Sequence, residues 1–241
     1  MQKHIIFYIN LLKDNDRRVN MENEFHRLNI SAERLDATWW KTVPPDEANA
    51  LYSIDLNKEQ YYKPLSNGEK GCYTSHIRAW KILLESDAEK IVVLEDDISL
   101  NDEFIKILDA IDKSDQEWDM IKLIGRERNE KIKSSENLLG TQNLIRYNKI
   151  PSCTTGYVLS RSGAKKLISS RIPFGRPIDI DLRFFWENDL KILGVHPAAI
   201  SLADSSTQSS IWTTREKNSF RERMKKFKMK TKILFLNFLH N

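Results

Sequence analysis

Four apolar residues, Ile91 to Leu94, run without a break into three carboxylates, Glu95, Asp96 and Asp97. A short run of this kind, apolar on both faces, reads as a strand buried on both sides, the pattern of a sheet covered by helices. In open α/β sheets, ligands sit in the crevice beyond the carboxyl ends of the strands. This one stretch therefore asks for a helix-covered sheet with three acids at its mouth.

The rest of the chain agrees with that demand. "HIIFYIN" (4–10) reads as a first strand, followed by a helix carrying Val19, Met21, Phe25 and Leu28, then by a second short strand in "SAERLDAT" (31–38). Ser66 precedes Glu69 by the capping-box spacing, which predicts a helix through "KGCYTSHIRAWKILLES". "KIVVLED" (90–96) and "WDMIKLIG" (118–125) are strands around the helix "NDEFIKILDAI" (101–111), "CTTGYVLSR" (153–161) is a strand entering the helix "SGAKKLISS", and "IDIDLRFFWEN" (178–188) is a further helix. The aromatic, proline-containing stretch 39–65 is an excursion over the sheet edge. With 241 residues, 40% hydrophobic and 30% charged, the chain can bury one large core.

Several classes are excluded. The two cysteines, Cys72 and Cys153, form no CxxC pair, so neither a zinc knuckle nor a disulfide framework is indicated, and a reducing cytoplasm is expected. The apolar start reaches Asn10 too soon for a signal peptide or a membrane span. No GxGxxG or GxxxxGK[ST] occurs, so a nucleotide must be held by another device. A haloacid-dehalogenase-like phosphatase needs Asp where Glu95 stands, and a phospho-receiver domain is much shorter. Adjacent carboxylates repel by about 1 kcal/mol per pair in water at 4 Å, and more where solvent is scarce. A partly buried cluster of three calls for a cation, and oxygen-only ligands favour Mg²⁺ or Mn²⁺.

"INLLKDNDRR", "LSNGEKGCYTSHIRAW" and "VVLEDDISL", in that order and with those gaps, resemble glycosyltransferase family 25, the bacterial lipooligosaccharide and lipopolysaccharide galactosyltransferases and their relatives. "TTGYVLSRSGAKKL" and Pro177 to Asp179 resemble it too, and the likeness runs over roughly residues 4 to 212. It implies an α/β fold of GT-A type, a Rossmann-like sandwich with a mostly parallel central sheet, that transfers a hexose, galactose above all, from a UDP-sugar to a terminal sugar of lipooligosaccharide. In such an enzyme a divalent ion, Mn²⁺ or Mg²⁺, neutralises the departing diphosphate.

Carried onto this chain, the resemblance makes Glu95-Asp96-Asp97 the acidic triplet, with Asp97 on the metal and Glu95 or Asp96 on ribose or a metal-bound water. Asn10, Arg17 and Arg18 belong to the nucleotide-binding loop, Asp36 to uracil or ribose, and Glu69, Ser75 and His76 to the donor sugar or diphosphate. The family is similar to inverting enzymes, which need a carboxylate base; Asp179 is the candidate and Asp181 the runner-up. A third metal ligand is sought in His196 or Asp204.

The last segment differs in character. From Lys217 to Lys232 there are eight Lys or Arg against one Glu, interleaved with Phe220, Met224 and Phe227 and followed by Ile233 to Leu236. We divide the chain into a catalytic domain over 1–212 and a basic amphipathic helix over 213–241. That helix suits an anionic membrane surface. A peripheral position on the inner face of a bacterial inner membrane follows as an expectation. A nucleic-acid partner is not expected, because the basic residues carry no recognition motif and the central acids repel phosphates unless metal is present. A binding protein that keeps the nucleotide-sugar pocket without the base is the competing reading.

Overall fold

The computed structural model describes residues 4–124, 131–203 and 219–240. The chain runs β1 (His4–Asn10), α1 (Asn15–Arg27), β2 (Glu33–Asp36), a 3-10 turn at Trp40–Thr42, α2 (Pro45–Leu51), α3 (Ile54–Gln60) and α4 (Asn67–Glu85). It continues through β3 (Lys90–Glu95), β4 (Ile98–Leu100), α5 (Phe104–Lys113), β5 (Met120–Lys122), β6 (Ile132–Leu139) and β7 (Gln142–Tyr147). Then come β8 (Gly156–Ser160), α6 (Arg161–Arg171), α7 (Ile178–Asp181), a second 3-10 segment at Leu182–Glu187, β9 (Ile192–His196), β10 (Ile200–Leu202) and α8 (Phe220–His240).

Eight strands form one sheet in the order β2-β1-β3-β8-β5-β9-β7-β6, while β10 pairs with β4 in a separate ribbon. Strands β2, β1 and β3 are parallel, as are β5 and β9; β8 and β7 run against them. The fold is therefore the expected mixed α/β sandwich around a large, mostly parallel sheet. An apolar pattern buried on both faces specifies no direction, which is why β8 is legible as a strand but not as a reversed one.

Strand β3 sits in the middle of this sheet, and Ile91, Val92, Val93 and Leu94 are all fully buried. The period of two sends Ile91 and Val93 into the core beneath α4 and α6, and Val92 and Leu94 into the core beneath α1 and α5. Each such side chain contributes about 1.5–3 kcal/mol by leaving water. The strand that carries the carboxylates is thus among the best anchored in the molecule.

The predicted capping box of α4 is present: Ser66 Oγ accepts from the Glu69 amide at 3.1 Å, and Glu69 Oε2 accepts from the Ser66 amide at 2.7 Å. Tyr73, Ile77, Trp80 and Leu83 then bury the apolar side of the helix. Gly71 has a steric reason, since a Cβ there would overlap the Thr38 carbonyl oxygen. Only a hydrogen lets α4 approach the segment after β2 so closely.

One helix is shorter than its pattern predicts. Residues 178–188 form the single turn of α7 and then a 3-10 segment with a kink at Phe184. Helix α8 forms as expected, but one side of it packs on the domain: Met229 joins the core, Ile233 is fully buried, and His240 stacks on Trp186 with ring centroids 5.8 Å apart. Among the described residues no helix is long and apolar enough to cross a membrane.

Candidate active site

The parallel strands β1 and β3 end side by side, with Ile9 opposite Glu95, and the chain beyond them frames a cleft of about 360 Å³. Its walls come from the β1–α1 loop and Arg17, the segment Ala37 to Trp39, the first turns of α4, the carboxylates Glu95 to Asp97, and Leu202. A wider hollow of about 510 Å³ between α5 and the β6–β7 hairpin gathers only surface lysines and acids with a few leucines, and no comparable cluster.

The three acids are held differently. Asp96 is fully engaged: Asn10 Nδ2 donates to its Oδ2 at 2.7 Å and Arg17 Nη1 donates to its Oδ1 at 2.9 Å. Burial still pushes its pKa up, against the pull of those two partners. Glu95 accepts from Thr154 Oγ1 at 3.1 Å and lies 3.6 Å from His76 Nε2. Burial raises its pKa too, but His76, Thr154 and Arg17 outweigh it and hold the carboxyl below its ordinary value. Asp97 lies 3.7 Å from Arg17, its ion-pair partner among the described residues. Burial and the charges of Glu95 and Asp96 push it up to about 6.

Among the described residues, three carboxylates thus share one guanidinium. Asp97 Oδ1, Thr38 Oγ1 and His76 Nε2 are buried, belong to residues that line this cleft, and have no hydrogen-bond partner among the described residues. Buried polar atoms are normally satisfied, so three orphans around one cavity mark where a ligand completes the bonding. The donor set fits a hard divalent cation, with Asp97 as its open oxygen ligand.

A second donor group, Cys72, His76 and Glu95, has one atom each within 4.8 Å of one another. It suits a metal less well. Burial pushes the Cys72 thiol well up, so it keeps its proton. Tyr157 Oη accepts from Trp80 Nε1 at 2.8 Å and lies 2.9 Å from His76 Nδ1. With that hydroxyl proton donated to Nδ1, His76 carries its own on Nε2, facing Glu95. His76 is a buried donor to the cleft, held by a tyrosine and a tryptophan that the sequence pattern alone does not connect to it.

Asn10, Arg17, Ser75, His76 and Glu95 to Asp97 are brought together. Ser75 acts on the cleft wall, accepting from the Thr38 amide at 2.8 Å while donating to the Gly71 carbonyl at 2.8 Å. Glu69 closes the capping box and lies 3.6 Å from Lys63 Nζ, beside the cleft rather than in its lining. Asp36 ends β2 with an exposed carboxylate paired to Arg34, and it does not line the cleft; the next three residues, Ala37 to Trp39, do. Arg18 points to Glu22, at 3.5 Å.

Neither candidate base lines the cleft, and the two are held differently. Asp179, at the start of α7, is half-buried with its pKa raised by burial, an effect that the Ile180 amide and Lys122 reduce and Glu69 reinforces. Asp181 is sealed in the core, its Oδ2 accepting from Tyr73 Oη at 2.5 Å and its Oδ1 ion-paired with Arg176 Nη2 at 2.6 Å and Arg171 Nη1 at 3.5 Å. It is not brought to the cleft. Neither is His196: in the sheet order β3-β8-β5-β9 its strand lies three spacings from Glu95, roughly 14 Å at the usual strand separation. Asp204 lies outside the described residues; Ala203, just before it, donates its amide to the Asp97 carbonyl at 2.9 Å.

Trp39, Thr38 and buried Lys122 lie outside the quoted motifs, and Thr154 and Tyr157 lie inside "TTGYVLSRSGAKKL" without a role assigned to them there. Trp39 is 46% exposed at the cleft with Lys13 Nζ 4.9 Å from its ring, and an exposed tryptophan in an aromatic-rich excursion is the only hint the sequence offers.

Comparison with known proteins decides the class. Residues 3–182 match the family described as glycosyltransferase family 25 (LPS biosynthesis protein). The chain belongs to glycosyltransferase family 25. Among family 25 relatives, procollagen galactosyltransferase 2 of Homo sapiens is 32% identical over 184 residues, covering 73% of this chain and 29% of that protein. Procollagen galactosyltransferase 1-B of Xenopus laevis is 31% identical over 183 residues, 73% of this chain and 30% of that one. A glycosyltransferase 25 family member of Drosophila melanogaster is 29% identical over 183 residues, 73% of this chain and 29% of that one. The chain spans less than a third of the length of these relatives. The family 25 match ends at Asp181–Leu182, earlier than residue 212, so β9, β10 and α8 lie beyond it.

Proposed function

We propose that this family 25 chain transfers galactose from UDP-galactose to a terminal sugar of lipooligosaccharide, with inversion and with a divalent ion, at the cytoplasmic surface of a bacterial membrane. The observation that carries the reading is the surplus of carboxylates at the end of β3, where Asp97 Oδ1 is buried and has no hydrogen-bond partner among the described residues. Mn²⁺ or Mg²⁺ would be held by Asp97 with Glu95 and, when bound, supplies charge neutralisation for the diphosphate.

The protein groups divide the remaining work. Asn10 and Arg17 fix Asp96, so the triplet keeps its shape before a donor arrives. Arg17, in the first turn of α1, offers positive charge at a helix N-terminus, where a diphosphate is favoured. Trp39 offers a face on which a nucleobase stacks, and Thr38 Oγ1 an unmet polar partner beside it. His76 donates from Nε2 towards the sugar or diphosphate. Asp179 takes the proton of the acceptor hydroxyl, and its raised pKa, caused first by burial, moves it in the direction a general base needs.

The test is UDP release from a panel of UDP-sugars with and without Mn²⁺, on wild type, Asp97→Ala and Asp179→Asn. Metal-dependent release from UDP-galactose, lost in Asp97→Ala, is expected. Asp179→Asn should lower kcat by about 10²–10⁴-fold with donor affinity little changed. Donor binding without turnover, even with lipooligosaccharide present, would replace the enzyme by a nucleotide-sugar binding protein.

A further inference from the structure

Helix α8 presents two opposite faces, and among the described residues only one of them packs on the domain. The buried or half-buried positions Glu222, Lys226, Met229, Ile233, Leu236 and Asn237 recur at helical spacing and form the side turned to the body. Lys226 Nζ lies 5.1 Å from the Tyr62 ring centroid, Met229 joins the core, and His240 stacks on Trp186. At 100° per residue, Phe220, Met224, Phe227, Leu234 and Phe235 fall within an arc of about 100° on the other side. These five are 46–80% exposed, and Leu239 at the edge of the arc is 57% exposed.

The charges are placed with equal order. Arg221, Lys225, Lys228 and Lys232 line one border of the exposed apolar arc, and Arg223 and Lys230 line the other. The whole helix carries seven Lys or Arg against one Glu. An apolar stripe bordered on both sides by cations is the cross-section of a helix lying in the headgroup region of an anionic bilayer, rings down and ammonium groups at the phosphates. A second copy of the chain is the poorer occupant, because two such faces would bring cationic borders together without acidic partners.

We infer that α8 is an interfacial helix that seats this domain on anionic lipid through the face of Phe220, Met224, Phe227, Leu234 and Phe235, while its Met229–Ile233 side clamps the helix to the body. The membrane surface is part of the function proposed above, and what is added here is the face, its borders and the rigid coupling. Lipid binding needs neither donor nor turnover, so it can fail while the transferase reading stands, and the reverse.

The experiment is co-sedimentation of the full chain with vesicles of phosphatidylglycerol and phosphatidylcholine, and with pure phosphatidylcholine. Wild type should partition at least 10-fold more strongly to the anionic vesicles, and the preference should shrink on going to high salt. Phe227→Ser with Phe235→Ser, and separately Arg223→Glu with Lys230→Glu, should each weaken partition by 10-fold or more. All four positions are exposed, so near-UV circular dichroism and melting should stay as in wild type. Equal partition of wild type and both double variants would overturn the inference, as would equal binding to uncharged vesicles. A dimer in solution that dissociates in Phe227→Ser with Phe235→Ser, without any change in vesicle binding, would assign the face to a second copy instead.

Discussion

Two acidic clusters in this protein are built from similar residues and reach opposite balances. Around Asp181, two carboxylates meet two guanidiniums: Arg176 Nη2 lies 2.6 Å from both Asp181 and Glu187, and Arg171 Nη1 reaches Glu187 at 2.5 Å. Tyr73 adds a hydroxyl. In that cluster each carboxylate faces a guanidinium, with Asp181, Arg171 and Arg176 buried and Glu187 at the surface. At the end of β3, three carboxylates share, among the described residues, the guanidinium of Arg17, one carboxyl is raised to about 6, and a buried oxygen of Asp97 has no hydrogen-bond partner among those residues. Charge neutrality achieved within the chain marks a structural cluster, and a standing deficit of cations marks a site that a ligand completes.

The contrast can be broken most forcefully on its closed side. Arg176→Ala leaves Asp181 and Glu187 with one cation between them, and should cost about 3–5 kcal/mol of stability, read as a lower melting temperature or denaturant midpoint. At the open side, Asp97→Ala should abolish metal-dependent donor turnover by about 10²-fold or more while leaving stability at neutral pH unchanged or higher. A loss of stability comparable to that of Arg176→Ala would show the two clusters to be alike.

The pH dependence sharpens the same point. The folded Asp97 carboxyl sits at about 6, above its unfolded value, so the folded state binds the extra proton. Its ionisation therefore opposes folding above that pH, and the penalty is relieved as pH falls through the window from about 6 towards the ordinary Asp value of about 4. Glu95 has the opposite sign, its pKa being held down by contacts that outweigh burial, so its stabilisation is lost as pH falls through the lowered value. Subtracting the Asp97→Asn profile from wild type isolates the first effect. In metal-free buffer the difference should shrink towards pH 4–5, and Mn²⁺ at neutral pH should shrink it as well. The smallest effect expected is that of Tyr157→Phe, which removes the hydroxyl shared by Trp80 and His76. About 1–3 kcal/mol of stability should be lost, with a change in donor affinity only if the His76 tautomer matters.

How much of this was legible in advance depended on range. The cap at Ser66 and Glu69 and the buried strand Ile91–Leu94 follow from neighbours a few residues apart, and both are as read. The family likeness collected Asn10, Arg17, Ser75 and His76, and the structure brings all four to the carboxylates. Asp179 and Asp181 stand two residues apart in one motif and look equivalent in a line of letters, yet one is half-buried at the head of α7 and the other is locked between two arginines. Asp36 and His196 both stand at strand ends, and a strand end says nothing of how many strands separate it from the next. The tail showed its composition plainly, but not that Met229, Ile233 and Asn237 would turn it against the body.

What the sequence determined by itself was local: which runs are strands, where α4 begins, that three acids stand at the mouth of a buried strand, and which family the motifs belong to. Those follow from periodicity, capping and adjacency, which act over a few residues. The tertiary structure alone decided the reversed direction of β8, the joining of Trp80, Tyr157, His76 and Glu95 into one line, and the balance of charge in each acidic cluster. Pairing partners 80 or so residues apart in the chain is settled by the packing of a whole sheet between two helical layers, because each contact becomes favourable only once the others have formed.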